Sequence, residues 1–225
     1  MGSFHVPRTA RPWRPRSPRS RIRPLAIAAA VLAALMLVGG GIRTAAHAAT
    51  DAPYGGTPAA VPGTIQAANY DTGGQGVAYN VAAVNGSANS YRSDGVDLEA
   101  TTDTGGGYDI GWTAAGQWFN YTVNVATAGT YAVSLRLAAP TAVTDALHIS
   151  NAAGTNLTGS VTAPATGGYQ NWTTVTASVT LPAGVQTLTV HQDNPGWNIH
   201  YLTLAAAGGG GGEGPYGGTP AAVPG

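Results

Sequence analysis

Three short stretches set a large aromatic ring beside glycines, and the chemistry that suits such rings is stacking. They are Gly105-Gly106-Gly107-Tyr108-Asp109-Ile110-Gly111-Trp112, Gly167-Gly168-Tyr169-Gln170-Asn171-Trp172 and Pro195-Gly196-Trp197-Asn198. Glycine trims the surroundings, so a ring there can stand clear of its loop. The apolar face of a pyranose lies well on such a ring, and a neighbouring amide satisfies its hydroxyls. The competing role for each ring is to cap the end of a core. Three such turns, one of them next to Asn198, tip the set towards sugar binding.

Hydrolytic chemistry has weaker candidates. There is no Gly-x-Ser-x-Gly elbow: Ser87 and Ser160 each follow a glycine, but nothing else around them fits. His148, His191 and His200 stand singly in strand-like contexts, without His-x-x-x-His spacing or cysteine partners, and read as half-buried strand residues. In Asp94-Gly95-Val96-Asp97-Leu98-Glu99, Asp97 and Glu99 point to one face of a strand. Paired carboxylates cut glycosidic bonds, but they do so from opposite sides of the bond, and two on one strand flank a substrate poorly. A solvated strand or a hard-cation contact suits them better. No catalytic residue and no metal site is expected, and a small glycosidase using Asp97 or Glu99 is the alternative.

The elements that must position these rings are strands. Trp118 to Val125, Tyr131 to Leu137, Thr173 to Val179 and Gln186 to Val190 alternate apolar and polar residues with a period of two. Ala128-Gly129 and Leu181-Pro182-Ala183-Gly184 supply turns between them. No stretch beyond residue 50 has a helical period, so the expected fold is all-β, an antiparallel β-sandwich.

Charge is segregated along the chain. All ten basic residues are arginines, eight of them before position 44, while all ten acidic residues lie at or beyond Asp51, leaving a net charge of −8 from there on. Such a surface repels phosphate backbones and excludes nucleic acid as a partner. The arginine-rich start, the apolar run Leu25 to Val38 and Ala46-His47-Ala48 have the layout of a secretory signal peptide, giving a secreted protein with no membrane attachment after cleavage. Fourteen apolar residues are too few to cross roughly 30 Å of hydrocarbon comfortably. The chain has no cysteine, so an exported domain must here rely on packing and hydrogen bonds.

Pro53 to Gly63 reads PYGGTPAAVPG, and Pro215 to Gly225 repeats it residue for residue after the glycine run Gly208 to Gly212. The expected organisation is a signal peptide at 1–48, a lead-in at 49–63 and one module at 64–205. A Gly-rich linker with the start of a repeated lead-in follows at 206–225. The repeat implies the first of a tandem pair, a monomer within a multidomain chain.

Several of these stretches together resemble the family 6 carbohydrate-binding modules. They are Ile65-Gln66-Ala67-Ala68-Asn69-Tyr70-Asp71, Gly74 to Tyr79, Tyr91 to Glu99, Ile110 to Val123, Gly167 to Trp172 and Gly196-Trp197-Asn198-Ile199-His200-Tyr201, covering about Ile65 to Leu204. The resemblance implies a jelly-roll, galactose-binding-like sandwich with a sugar site in the loops at one end. It implies two clamping rings, Trp112 and Tyr169, an amide grip from Asn198 and a further contact from Gln75, beside which Trp197 stays a candidate from its Gly-flanked turn. It implies no activity of its own beside a polysaccharide or oligosaccharide partner, an adhesion or protein-interaction role on the same fold being the other alternative. Relatives often carry a structural calcium, but Ala68 stands where Glu is usual and His200 near a usual Asp, so no cofactor is expected.

Overall fold

Alternation along the chain becomes a two-layer sandwich in the computed structural model, which describes residues 49–82 and 91–208. The expected signal peptide and the second undecapeptide copy lie outside the described residues. The strands are β1 (Ala59–Val61), β2 (Gly63–Gln66), β3 (Tyr79–Asn80), β4 (Leu98–Ala100), β5 (Tyr108–Ile110) and β6 (Gln117–Val125). The rest are β7 (Gly129–Ala138), β8 (Val143–Asn151), β9 (Val161–Ala163), β10 (Thr173–Leu181), β11 (Gly184–Gln192) and β12 (Asn198–Ala206). One sheet runs β1-β6-β11-β8-β9, with β3 also on β6; the other runs β10-β7-β12-β5-β4, with β2 also on β12.

The period of two places the core. In β6, Phe119, Tyr121, Val123 and Val125 are buried; in β7, Tyr131, Val133, Leu135 and Leu137 are. Each such side chain contributes about 1.5–3 kcal/mol by leaving water, which is how a cysteine-free domain holds together. Polar groups that enter the core are paired, the buried Trp172 Nε1 apart. Tyr121 donates its hydroxyl to Ala67 O at 2.8 Å, and the buried Asp71 carboxylate accepts from Thr122 N at 2.9 Å and Thr122 Oγ1 at 2.6 Å.

Two departures from the expected architecture stand out. Most pairings are antiparallel, but β1 runs parallel to β6, with Ala59 opposite Val123 and Val61 opposite Val125. Strand β1 also lies inside the segment expected to be a lead-in. Val61 is buried, and its carbonyl accepts Ala126 N–H at 2.8 Å. The Tyr54 ring stacks on Tyr91 at 6.1 Å, and Gly55 and Gly56 turn at φ +68° and +79°. A Cβ on Gly63 would meet Ala60 O at 2.4 Å. Nearly every distinctive residue of PYGGTPAAVPG therefore has a place in the sandwich.

The two arginines beyond position 51 serve the frame. Arg92 pairs with Asp94 (Nε–Oδ2 2.9 Å) and lies 3.6 Å over the Tyr70 ring, while Arg136 pairs with Asp103 (Nη2–Oδ1 2.7 Å). Both are committed internally, so the acidic surface keeps its sign.

Candidate functional site

Four segments meet at one end of the sandwich and enclose a cleft of about 460 Å³, lined by Glu99, Trp112, Thr113, Tyr169, Gln170, Gly196 and Asn198. Glu99 comes from β4, Trp112 and Thr113 from the loop after β5, Tyr169 and Gln170 from the loop before β10, and Asn198 from the first position of β12. The sequence-expected Trp112, Tyr169 and Asn198 are brought together here.

The two rings are presented to solvent. Trp112 is 56 % exposed and Tyr169 49 %. Trp112 also adopts φ +47°, a left-handed conformation that costs an L-residue roughly 1–2 kcal/mol. A large apolar side chain held both exposed and strained gains nothing for stability from the arrangement, the pattern expected where function sets the geometry. Its loop is fixed by the next residue: Thr113 Oγ1 donates to Trp197 O at 3.0 Å and accepts Gly196 N–H at 2.9 Å and Trp197 N–H at 3.2 Å.

Asn198 is buried and faces three acceptors. Its Nδ2 donates to Glu99 Oε1 at 2.9 Å, Asp109 Oδ1 at 3.1 Å and Tyr169 O at 3.2 Å. That surrounding fixes the orientation of the amide, because only its nitrogen can face acceptors. Oδ1 accepts nothing from the described residues and lies beside Gly111, where a Cβ would come within 3.2 Å of it. Glycine at 111 thus leaves room above the free carbonyl oxygen.

Beneath the amide lies a carboxyl pair. Glu99 and Asp109 are direct partners across β4 and β5. Asp109 is fully buried, and burial pushes its pKa up to about 7, with the Glu99 charge adding and hydrogen bonds from Gln170, Thr101 and Asn198 opposing. Gln170 Nε2 donates to Asp109 Oδ2 at 2.8 Å. The cleft therefore offers two flat rings, one carboxylate and one free amide carbonyl, a set suited to ring faces and hydroxyls.

Two sequence expectations are corrected. Trp197 has no exposure at all; its indole sits in the core and its Nε1 donates to Asn194 O at 2.7 Å. Gly196 turns the chain inward there, so this ring has no face for a sugar. Gln75 does not line the cleft. Its Nε2 donates to Asn80 Oδ1 at 3.0 Å and Val81 O at 2.9 Å, and its Oε1 accepts Val81 N–H at 3.1 Å, so both ends of the amide brace its own loop. Conversely, Glu99, expected on a solvated strand or at a hard-cation contact, lines the cleft with Gln170, and Asp109 lies buried behind them. The β4–β5 register sets Glu99 opposite Asp109.

Of the two positions associated with calcium, Ala68 brings no side-chain oxygen, and both ring nitrogens of His200 are engaged, Nδ1 at 2.9 Å from Asp103 Oδ2 and Nε2 at 3.0 Å from Gly106 O. Among the described residues no group of three or more potential metal ligands comes together. Asp103, between Arg136 and His200, is held below the usual carboxylate range chiefly by the Arg136 hydrogen bonds. His148 and His191, expected to stand apart, are cross-strand partners whose rings stack at 4.3 Å. His191 Nε2 lies 2.8 Å from Ser150 Oγ, within a second, shallower depression of about 300 Å³ that also includes Trp118.

Residues 87–206 match the model of the carbohydrate binding module (family 6). The chain is similar to the carbohydrate-binding module CBM6cm-2 of Cellvibrio mixtus lichenase 5A, solved in complex with cellotriose. Identity is 29 % and the TM-score 0.51, over 65 % of this chain and 98 % of that one. A β-1,3-glucan binding CBM6 from Bacillus halodurans is 25 % identical with a TM-score of 0.51, over 67 % of this chain and all of that one. The clotting factor G alpha subunit of Tachypleus tridentatus is 32 % identical over 115 residues, which are 51 % of this chain; the match spans only 17 % of that protein's length.

Proposed function

The chain belongs to family 6 of the carbohydrate-binding modules, and from that premise we propose that it attaches, without cleaving, to a polysaccharide of the β-glucan or xylan type. A sugar ring lies between Trp112 and Tyr169, and its hydroxyls are held by Asn198 Oδ1 and the Glu99 carboxylate. The observation that carries this reading is Trp112 itself, exposed and at φ +47° on the rim of the cleft that also contains Tyr169 and Asn198. The cellotriose and β-1,3-glucan bound by the two similar structures suit the same sugar class. Hydrolysis is disfavoured because the cleft presents one carboxylate, Glu99, while Asp109 is sealed behind it.

The protein is exported, on the strength of its arginine-rich start, apolar run and Ala46-His47-Ala48. The exact recurrence of Pro53–Gly63 at Pro215–Gly225 supports a tandem arrangement of such modules, and tandem modules on a Gly linker raise a weak affinity through multivalency.

The test is retardation of the pure protein in gels containing soluble β-glucans or xylans, with Trp112→Ala and Tyr169→Ala alongside. Retardation by at least one glycan, lost in both variants while the circular dichroism spectrum is unchanged, is expected. Equal retardation of wild type and both variants removes the assigned site.

A further inference from the structure

Tyr169 stands on a loop in which Gly167 has φ +84° and Gly168 follows it. Thr166 braces the start of this loop, its Oγ1 donating to Gly168 O at 3.0 Å. The residue after the ring ties the loop to the cleft. Gln170 Oε1 accepts Thr102 N–H at 2.8 Å and lies 3.3 Å from Thr102 Oγ1, while Gln170 Nε2 donates to Asp109 Oδ2 at 2.8 Å. Asp109 Oδ1 accepts from Asn198 Nδ2, and the same Nδ2 donates to Tyr169 O. These bonds close a ring that runs Asp109, Asn198, Tyr169, Gln170 and back to Asp109.

We propose that Gln170 is the positioning residue of the cleft, fixing the Tyr169 ring and the Asn198 amide relative to each other by tying their loop to buried Asp109 and to Thr102. This rests on reading the cleft as the sugar site. The side chain must be a carboxamide. Thr102 N–H can only donate, so Oε1 must face it and Nε2 is left for Asp109. Leucine, of similar size, makes neither bond. Glutamate sets acceptor against acceptor and adds a third carboxyl to Glu99 and Asp109, while Arg136 is already committed to Asp103. Gln170 contributes in the free protein, by sparing the sugar the entropy of ordering a Gly-Gly loop.

The experiment uses the full chain with Gln170→Leu, Gln170→Glu and Trp112→Ala. Amide hydrogen exchange is followed at Thr102 and residues 166–171 without ligand, and calorimetric titration uses cellotriose and a soluble β-1,3-glucan from about pH 5 to about pH 8. In Gln170→Leu, exchange in this loop rises more than roughly tenfold and affinity falls about tenfold at every pH, as the loss of a buried hydrogen bond implies. Gln170→Glu behaves like it at the alkaline end and returns towards wild type at the acid end, where a protonated carboxyl can donate to its neighbour. That recovery is something a mere loss of packing would not produce. Wild-type exchange in both Gln170 variants, or an affinity of Gln170→Glu without pH dependence, overturns the proposal. Trp112→Ala separates the two failures: glycan binding that survives it removes the sugar-site reading, whereas the exchange result judges Gln170 independently of any ligand.

Discussion

Replacing Trp112 by glycine should weaken glycan binding while leaving the fold more stable than the alanine variant. Trp112 is 56 % exposed, so of the roughly 250 Å² that a tryptophan can bury about 140 Å² is open to solvent. A sugar laid on one face covers about half of that. At ~25 cal/mol per Å² the stack contributes ~1.8 kcal/mol, a factor of about twenty in affinity. Both variants lose this. They differ in the backbone: at φ +47° alanine keeps the left-handed penalty of roughly 1–2 kcal/mol, whereas glycine does not. Glycine's greater freedom in the unfolded chain offsets part of the gain, leaving an advantage of ~0.5–1 kcal/mol, or about 2 °C in a domain of this size. Affinity electrophoresis on soluble β-glucan and differential scanning calorimetry measure the two quantities on the same samples. Undiminished retardation in either variant refutes the stacking argument, and a glycine variant that melts below the alanine variant refutes the strain argument.

Four further outcomes follow from the geometry. Tyr169→Phe keeps the exposed ring and should bind within about twofold of wild type, while Tyr169→Ala loses about tenfold by titration calorimetry. Trp197→Ala, in contrast to Trp112→Ala, empties a fully buried site and should cost about 3–5 kcal/mol in urea unfolding. Arg136→Ala leaves the Asp103 carboxylate, whose side chain is 4 % exposed, without its main partner and should cost about 3 kcal/mol by the same assay. Among the groups that shape the pH profile, two act with opposite sign. Asp109, with a folded pKa of about 7, binds a proton that the unfolded chain has already released, so its protonated form favours folding and stability declines as pH rises towards about 7. Asp103, held below the usual range, contributes stability above that range which is lost on acidification. Thermal melts from about pH 5 to about pH 8 should therefore fall more steeply, or rise less, with increasing pH in wild type than in Asp109→Asn.

The sandwich was legible wherever a strand has one buried face. From Phe119 to Val125, strand β6 alternates apolar and polar residues without a break, and its burial follows that alternation residue by residue. Strand β1 was not legible because three residues, Ala59–Val61, bracketed by prolines are too short to show a period, and their parallel partner is over sixty residues away. Strand β8 reads irregularly because two adjacent residues, Ala146 and Leu147, are both buried. In the cleft, residue type found the rings and the amide, since Gly-flanked aromatics and an Asn announce themselves. The same rule misplaced Trp197, because glycine permits a ring to turn inward as readily as outward. Gln75 failed for a different reason: a motif position does not say whether a side chain's hydrogen bonds are spent at home. Glu99, Asp109 and Gln170 escaped because their roles arise from contacts between β4, β5 and the loop before β10, and no local pattern encodes that register.

The central claim is that a sugar lies between Trp112 and Tyr169 at the end of the sandwich. Titrating isotope-labelled protein with cellotriose and with a soluble β-1,3-glucan, and following the tryptophan indole and asparagine amide resonances, tests it most directly. The Trp112 indole and the Asn198 side-chain amide should shift with at least one of the two glycans, while the buried Trp197 indole stays still. Shifts confined to Trp118 and the strands around His191, with Trp112 unmoved, would contradict the account.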